Sequence, residues 1–409
     1  METWKIVKLE EIGTVVGGAT PSTADASNYD GDIAWLTPRD LSTFQGREIS
    51  RGERMISRKG FESCSCKLLP KGSVLFSSRA PIGYVAIADN ELCTNQGFKS
   101  IIPNEKFVDS QFLYYLLVFN RKKIEALGSG TTFIEVSGNV MKNFEVLMPN
   151  LKTQKRIVAI LSSLDDKIEL NRRINDNLEQ QAQALFKSWF VDFEPFKGGK
   201  FVDSELGLIP EGWRIGTIED LCQHIASGST PSSMNMEYYN GNIKWFTTKE
   251  LKDSFLLDSE KHISDEGHQS SSTKMFPSGT VLMAIYAAPT VGRLGILTSN
   301  ATFNQAAVGL NPKKEIGSNY IFLLLKKERD NFNNLAIGAA QQNLSVKFVK
   351  TYATIIPFNK VFEDFNILVN PIFDEIVLHC KEIERLTVLR DTLLPKLMSG
   401  ELKIDKINC

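Results

Sequence analysis

Residues 17–41 read GGATPSTADASNYDGDIAWLTPRDL, and residues 227–251 read SGSTPSSMNMEYYNGNIKWFTTKEL. Aligned without a gap, the two stretches agree at ten positions, among them Gly18/Gly228, Thr20/Thr230, Pro21/Pro231, Tyr29/Tyr239, Gly31/Gly241, Trp35/Trp245 and Leu41/Leu251. An offset of 210 residues in a chain of 409 places one copy in each half. The correspondence continues downstream, where LPKGSVL at Leu69 answers FPSGTVL at Phe276 and TNQGF at Thr94 answers FNQAA at Phe303. A period of about 200 residues is too long for a solenoid or propeller and indicates a duplicated domain.

Within each copy the pattern is short, β-rich and bounded by turns. GSVLFSS, GYVAIAD and FEVLMP in the first half, and GTVLMAI, GRLGILTS and ATIIPF in the second, have strand length and composition. Residues 112–119 and 320–327 read as short amphipathic helices. Each half is therefore expected to be an α+β globule.

A different segment follows each globule. From Ile157, the positions Leu161, Leu164, Ile168, Asn171, Asn175, Leu178, Ala182, Leu185 and Trp189 advance in alternating steps of four and three. A shift of 208 residues gives the same register at Phe365, Val369, Ile372, Ile376, His379, Ile383, Leu386, Arg390, Leu393 and Leu397. Such seams predict two long helices that bury their stripes against each other, with Asn171, Asn175 and His379 forming a polar layer that fixes register. The competing reading packs each helix on its own globule. Two like globule-helix units can share one seam by a twofold-like operation only if the helices run antiparallel, with a globule towards either end.

Composition narrows the function. Hydrophobic residues make up 42% of the chain, enough for real cores. The longest apolar runs fall far short of the roughly 20 residues that cross a bilayer, and METWKIVKLEEIG lacks a basic-then-apolar leader, so a cytoplasmic location is expected. Of the six cysteines only Cys64 and Cys66 lie close in sequence, which argues for reduced thiols and against a metal site. His262 and His268 read as solvated loop histidines. The net charge is −1, yet Arg47, Arg51, Arg54, Arg58, Lys59, Lys67, Lys71 and Arg79 crowd one stretch against only Glu48, Glu53 and Glu62. Taken alone, that run reads as a solvated surface. No phosphate loop, dinucleotide fingerprint, nucleophile elbow or zinc-protease motif occurs, and GGK at Gly198 reads as a flexible linker.

The combination G.TPS......Y..G.I.W.T...L, SSRAPIGYVAI, TNQGF, a P.L..QKRI helix start, SELGLIPEGW and a closing LLPKLMSGEL resembles the specificity subunit of Type I restriction-modification systems. The resemblance implies target-recognition domains at 1–150 and 213–358, spacer helices at 151–192 and 359–402, a linker at 193–212, and a pseudo-twofold arrangement. It also implies double-stranded DNA as ligand, two adenine-N6 methyltransferase subunits and motor-nuclease subunits as partners, and no catalysis. No cofactor is then expected on this chain, S-adenosylmethionine belonging to the methyltransferase. Arginine suits guanine edges, and Asn or Gln suits adenine. The expected DNA contacts are Arg39, Arg79, Lys249 and Tyr286 beside the duplicated turns, with Gln341, Gln342 and Asn343 as a further polar cluster. Asn95, Gln96, Asn304 and Gln305 either reach DNA or brace a turn. The rival function is a two-headed structural adaptor that binds proteins.

Overall fold

A computed structural model describes residues 4–79, 81–130, 134–286, 290–338 and 343–402. The chain divides into two compact units, Met1–Leu170 with Glu384–Cys409, and Asn171–Ile383. The boundary falls inside each of the two long helices, Leu151–Phe190 and Asn359–Met398.

In the first unit a five-stranded sheet has the order Gly13–Gly17, Lys99–Pro103, Val74–Phe76, Val85–Ala88, Glu48–Ile49. The second unit repeats that order with Cys222–Ser227, Ala307–Pro312, Val281–Ala284, Leu294–Leu297 and Ser254–Leu256. In both sheets only the last pairing is parallel. Each unit adds a three-stranded sheet centred on the strand that carries the repeated tryptophan, Tyr29–Leu36 or Ile243–Phe246. All six stretches expected to be strands carry one, and the two expected short helices lie within Ser110–Glu125 and Ser318–Lys327.

The long helices pack antiparallel within each unit, since partners fall in number on one helix as they rise on the other. In the first unit Ile157 and Leu161 share a core with Leu397 and Leu394, and Asp165 Oδ1 accepts from Arg390 Nη1 at 2.8 Å. In the second, Asn171 Nδ2 donates to Glu382 Oε2 at 2.7 Å, and His379 Nδ1 lies 2.9 Å from Asn175 Oδ1. Ile157, Leu161, Ile168, Asn171 and Ile376 are buried, and Leu164, Asn175, Leu178, Leu185, Ile372, His379, Ile383, Leu386 and Leu393 are half-buried.

Three fully buried or nearly buried side chains, Asp165, Phe186 and Phe190, sit one position beyond the expected seam. The reason is that each helix packs on its globule as well as on its partner, so the dry stripe is wider than one seam. In the second unit Phe186 and Phe190 join Tyr320 of the globule and Phe362 and Phe365 of the other helix in one core, with Phe190 and Phe365 ring centroids 4.8 Å apart. In the first unit the Asp165 carboxylate also accepts from the buried Tyr115 hydroxyl at 2.6 Å. Arg47 bonds Glu169 at 3.0 Å and pairs with Asp166.

Three readings need correction. Residues 193–212 are not a free linker: Phe201–Ser204 and Gly207–Pro210 form a hairpin, and Phe193 and Phe196 lie 5.5 and 5.0 Å from Trp213. Burying these rings outweighs the freedom that Gly198 and Gly199 allow. Arg47, taken with its neighbours as solvated surface, is only 7% exposed. His262 lies on the strand Lys261–Ile263 beside Asp258 at 3.0 Å, and His268 in the helix Asp265–Gln269 beside Thr273 at 2.8 Å, so neither is a free loop histidine.

Candidate nucleic-acid interface

The residues repeated between the two halves form the same frame in each. Gly18 abuts the turn after Cys93–Thr94 so closely that a Cβ there would stand 2.1 Å from the Thr94 carbonyl oxygen. At Gly228 it would stand 2.0 Å from that of Phe303. One residue on, the carbonyl of Ala19 accepts from Trp35 Nε1 at 3.1 Å, and that of Ser229 accepts from Trp245 Nε1 at 2.9 Å. The Tyr29 hydroxyl donates to the Pro21 carbonyl at 2.8 Å, as Tyr239 does to Pro231 at 2.7 Å. Tyrosine meets tryptophan edge-on in both copies, at 6.1 and 5.8 Å. These bonds clasp a loop, 21–28 or 231–238, at its two ends. Gly18, Tyr29 and Trp35, like their counterparts Gly228, Tyr239 and Trp245, each meet backbone atoms in the same way in both copies.

Thr20 Oγ1 donates to Gln96 Oε1, and Thr230 Oγ1 donates to Gln305 Oε1. Both glutamines are exposed, whereas Asn95 and Asn304 are half-buried. Asn95 Oδ1 accepts from the Gly97 backbone at 2.9 Å, and Asn304 Oδ1 is buried. In each Asn-Gln pair, then, the asparagine turns inward and the glutamine lies at the surface.

A capping box places the next pair of side chains. Asp40 accepts from the Thr37 backbone and hydroxyl at 2.7 and 2.8 Å, and Glu250 does the same for Thr247 at 2.7 and 2.9 Å. This closure holds Arg39 and Lys249 outward on short helical turns. Arg79 Nε donates to Glu135 at 2.9 Å, and Lys99 donates to the same carboxylate at 3.0 Å. Burial raises the Glu135 carboxyl, but these two cations together hold it below the usual glutamate range. Tyr286 takes the place of Arg79 and bridges backbone to backbone with Asn343, as Arg79 does with Glu135.

In the first unit Arg39, Arg79, Asn95 and Gln96 all line one open groove of about 510 Å³, with Thr37, Pro38 and Gly97. A second groove of about 640 Å³ shares Arg39 and Ser42 and continues to Arg51. Gln341 and Gln342 lie outside the described residues. Most of the other basic side chains in the 47–79 run have local partners: Lys59 pairs with Asp25, Arg58 with Glu62 and Lys71 with Asp89, and Arg54 stacks 3.9 Å over Tyr29.

Sequence reasoning missed the Thr-Gln bonds, although both partners stand among the residues repeated in each half. It also missed that Cys93 joins Cys66 in one small core with Tyr29 and Trp35. The hydrogen-bonded Cys93 thiol and burial push the Cys66 thiol up, away from reactivity. Among the described residues no cluster of His, Cys, Asp or Glu is arranged to hold a metal ion, and no helix is long and apolar enough to cross a membrane. The site offers donors and cations at an open surface, which is suited to contact with an anionic polymer.

A family model described as the Type I restriction modification DNA specificity domain matches residues 1–180 and 210–361. The MjaIX Type I restriction enzyme specificity subunit of Methanocaldococcus jannaschii is 34% identical over 99% of this chain and 94% of its own. The HindI specificity subunit of Haemophilus influenzae is 28% identical over 82% of this chain and 88% of its own. The fold is similar to the crystal structure of a Type I restriction-modification S subunit from M. genitalium, with a TM-score of 0.59 and 16% identity over 97% of this chain and 96% of that one. With the family model spanning both duplicated domains, this chain belongs to the family of Type I restriction-modification DNA specificity subunits.

Proposed function

We propose that this chain is the non-catalytic DNA-reading subunit of a Type I restriction-modification complex. Each globular domain, 1–150 and 213–358, reads one half of a bipartite, asymmetric site in double-stranded DNA. The helices at 151–192 and 359–402 set the number of unread base pairs between the halves and dock two adenine-N6 methyltransferase subunits. Motor-nuclease subunits join through that complex, and S-adenosylmethionine binds the methyltransferase. The observation that carries the reading is the groove that gathers Arg39, Arg79, Asn95 and Gln96 at one surface, in a chain of this family. Guanidinium groups read guanine edges, and side-chain amides donate to base edges or to phosphate oxygens.

Exposed apolar side chains on the long helices support the docking role. Ile367, Leu368 and Leu378 in the second unit, and Val388 and Leu389 in the first, face away from the seam and are 44–69% exposed. The adjacent pairs Ile367 with Leu368 and Val388 with Leu389 offer apolar surface to a protein partner.

The test is methylation-sensitive sequencing of DNA from cells that express this chain with its methyltransferase partner. One bipartite motif is expected. Exchange of residues 1–150 for the equivalent domain of a relative should alter one half of that motif and leave the other. Affinity of the assembled methyltransferase should fall steeply with salt, as counterion release requires. Salt-independent or absent DNA binding would favour the protein-binding adaptor instead.

A further inference from the structure

We propose that Gln96 and Gln305 are phosphate clamps, one in each domain, whose amide NH2 groups hold the DNA backbone in register without choosing the sequence. The proposal rests on the DNA-reading function above and divides its side chains into two kinds.

The first step is the chemistry of the amide. Each glutamine oxygen already accepts from a threonine hydroxyl, Thr20 or Thr230. Both side chains are exposed, and no described residue accepts a hydrogen bond from Gln96 Nε2 or Gln305 Nε2. Bidentate readout of adenine would need the oxygen to accept from N6 while the nitrogen donates to N7. Threonine occupies one of the two lone pairs of that oxygen and fixes the amide, so the group left without a partner is the NH2 donor, whose natural partner is an anionic acceptor. Phosphate and sugar oxygens together receive about half to two-thirds of protein–DNA hydrogen bonds.

The second step is the comparison between copies. The threonine, the glutamine and the frame behind them are the same in both domains, down to the glycine that lets the loop approach the turn. The surrounding rim changes in chemical kind, with Arg79 and Glu135 on one side answered by Tyr286 and Asn343 on the other. Two domains that read different half-sites cannot owe the difference to an identical donor. What any two half-sites share is the phosphodiester backbone.

The third step is the rigidity of the mount. The bonds of Trp35 to Ala19 and of Tyr29 to Pro21 fix the loop on either side of Thr20, and those of Trp245 and Tyr239 do so for Thr230. The donor is therefore oriented before DNA arrives, which is what a register contact requires.

The experiment uses the complex assembled with its methyltransferase partner and duplexes that carry the recognised site or an unrelated sequence. Gln96→Glu and Gln305→Glu keep an oxygen for the threonine hydroxyl and replace the NH2 with a second anionic oxygen. Each is expected to weaken binding by about 10-fold to 100-fold, by the same factor on both duplexes, with the methylated motif and the melting temperature unchanged. A duplex with a neutral methylphosphonate at the clamped phosphate should cost the unaltered protein a similar factor and the variant little further. Arg79→Ala or Tyr286→Ala should change base preference instead. A changed motif in either glutamine variant would make that residue a base reader, and unchanged affinity in both would make the pair mere braces. Should a variant melt early, the methylphosphonate scan on the other domain still decides, since a phosphate whose loss is insensitive to Gln305→Glu is not held by it. Failure of the unaltered complex to bind any duplex would overturn the DNA-reading function itself.

Discussion

Adding a single carbon at Gly18 should damage the first domain, while adding one at its neighbour Gly17 should not. A Cβ on Gly18 would lie 2.1 Å from the Thr94 carbonyl oxygen and 2.3 Å from that of Asn95, both backbone atoms of the turn that carries Gln96. Contact at roughly 3.2 Å is the closest such atoms tolerate, so the loop must retreat by about 1 Å, and overpacking of that kind costs about 1–3 kcal/mol. The retreat also stretches the bond from the Ala19 backbone N–H to Thr94, now 3.0 Å, and that from Thr20 to Gln96. Each is worth about 1 kcal/mol. A total of about 3–5 kcal/mol corresponds to a fall of roughly 6–20 °C in the unfolding of a unit this size. At Gly17 the nearest atom to an added Cβ is Lys99 Cδ at 4.0 Å, and the second copy carries Ser227 at that position. The assay is thermal unfolding of Gly18→Ala and Gly17→Ala side by side, followed by DNA binding of each assembled with the methyltransferase. Equal stability of the two variants, within about 0.5 kcal/mol, would refute the claim that this close approach builds the frame.

Asp165→Ala should destabilise the first unit by about 2–4 kcal/mol, because it leaves the buried Tyr115 hydroxyl without its acceptor and the half-buried Arg390 with only Asp391. Tyr115→Phe should cost only about 1 kcal/mol, and urea unfolding distinguishes the two. Glu135 has a depressed folded pKa, so its pairing with Lys99 and Arg79 stabilises above the unfolded value and is lost as pH falls through the folded one. Acid titration followed by hydrogen exchange at residues 134–136 should show loosening below about pH 4, and Glu135→Gln should remove that dependence. If Lys249 meets a phosphate, Lys249→Ala should reduce the slope of log affinity against log salt by about 0.9. Ile367→Glu with Leu378→Glu should abolish co-purification with the methyltransferase while leaving the melting temperature within about 1 °C, since both side chains are exposed.

The duplication was legible because identical residues stand at a constant offset, and they proved to be those with backbone partners: Trp35 and Trp245, Tyr29 and Tyr239, Gly18 and Gly228. The helices were equally plain, but a heptad describes a single partner surface. Asp165, Phe186 and Phe190 face a second one, so periodicity placed Leu164, Leu185 and Trp189 too deep. Residues 193–212 misled because composition weighs Gly198 and Gly199 locally, while Phe193, Phe196 and Trp213 meet only after the chain turns back. Arg47 was misread for a similar reason. Its acceptors, Asp166 and Glu169, lie about 120 residues away. The Thr-Gln bonds span 76 and 75 residues, and nothing in local spacing announces them. Only the recurrence of both partners at matching positions in each half could have done so.

The separation between a shared frame and a divergent rim has an energetic consequence. A frame residue such as Trp35 acts on the backbone, so changing it moves the loop and with it every neighbour at the surface. A rim residue such as Tyr286 is exposed, and substitutions at such positions usually alter stability by no more than about 0.5 kcal/mol. Discrimination of a single base pair is worth about 1–3 kcal/mol, several times larger. If the rim reads bases as proposed, one base preference could be exchanged for another there without lowering the stability of the domain that presents it. After duplication, the two copies were free to diverge at Arg79 and Tyr286, and at Glu135 and Asn343, while Gly18, Thr20, Tyr29 and Trp35 stayed fixed in their counterparts. Under the proposed function, the residues that would decide sequence are those at which the halves of the chain disagree, and those on which they agree would hold the DNA backbone.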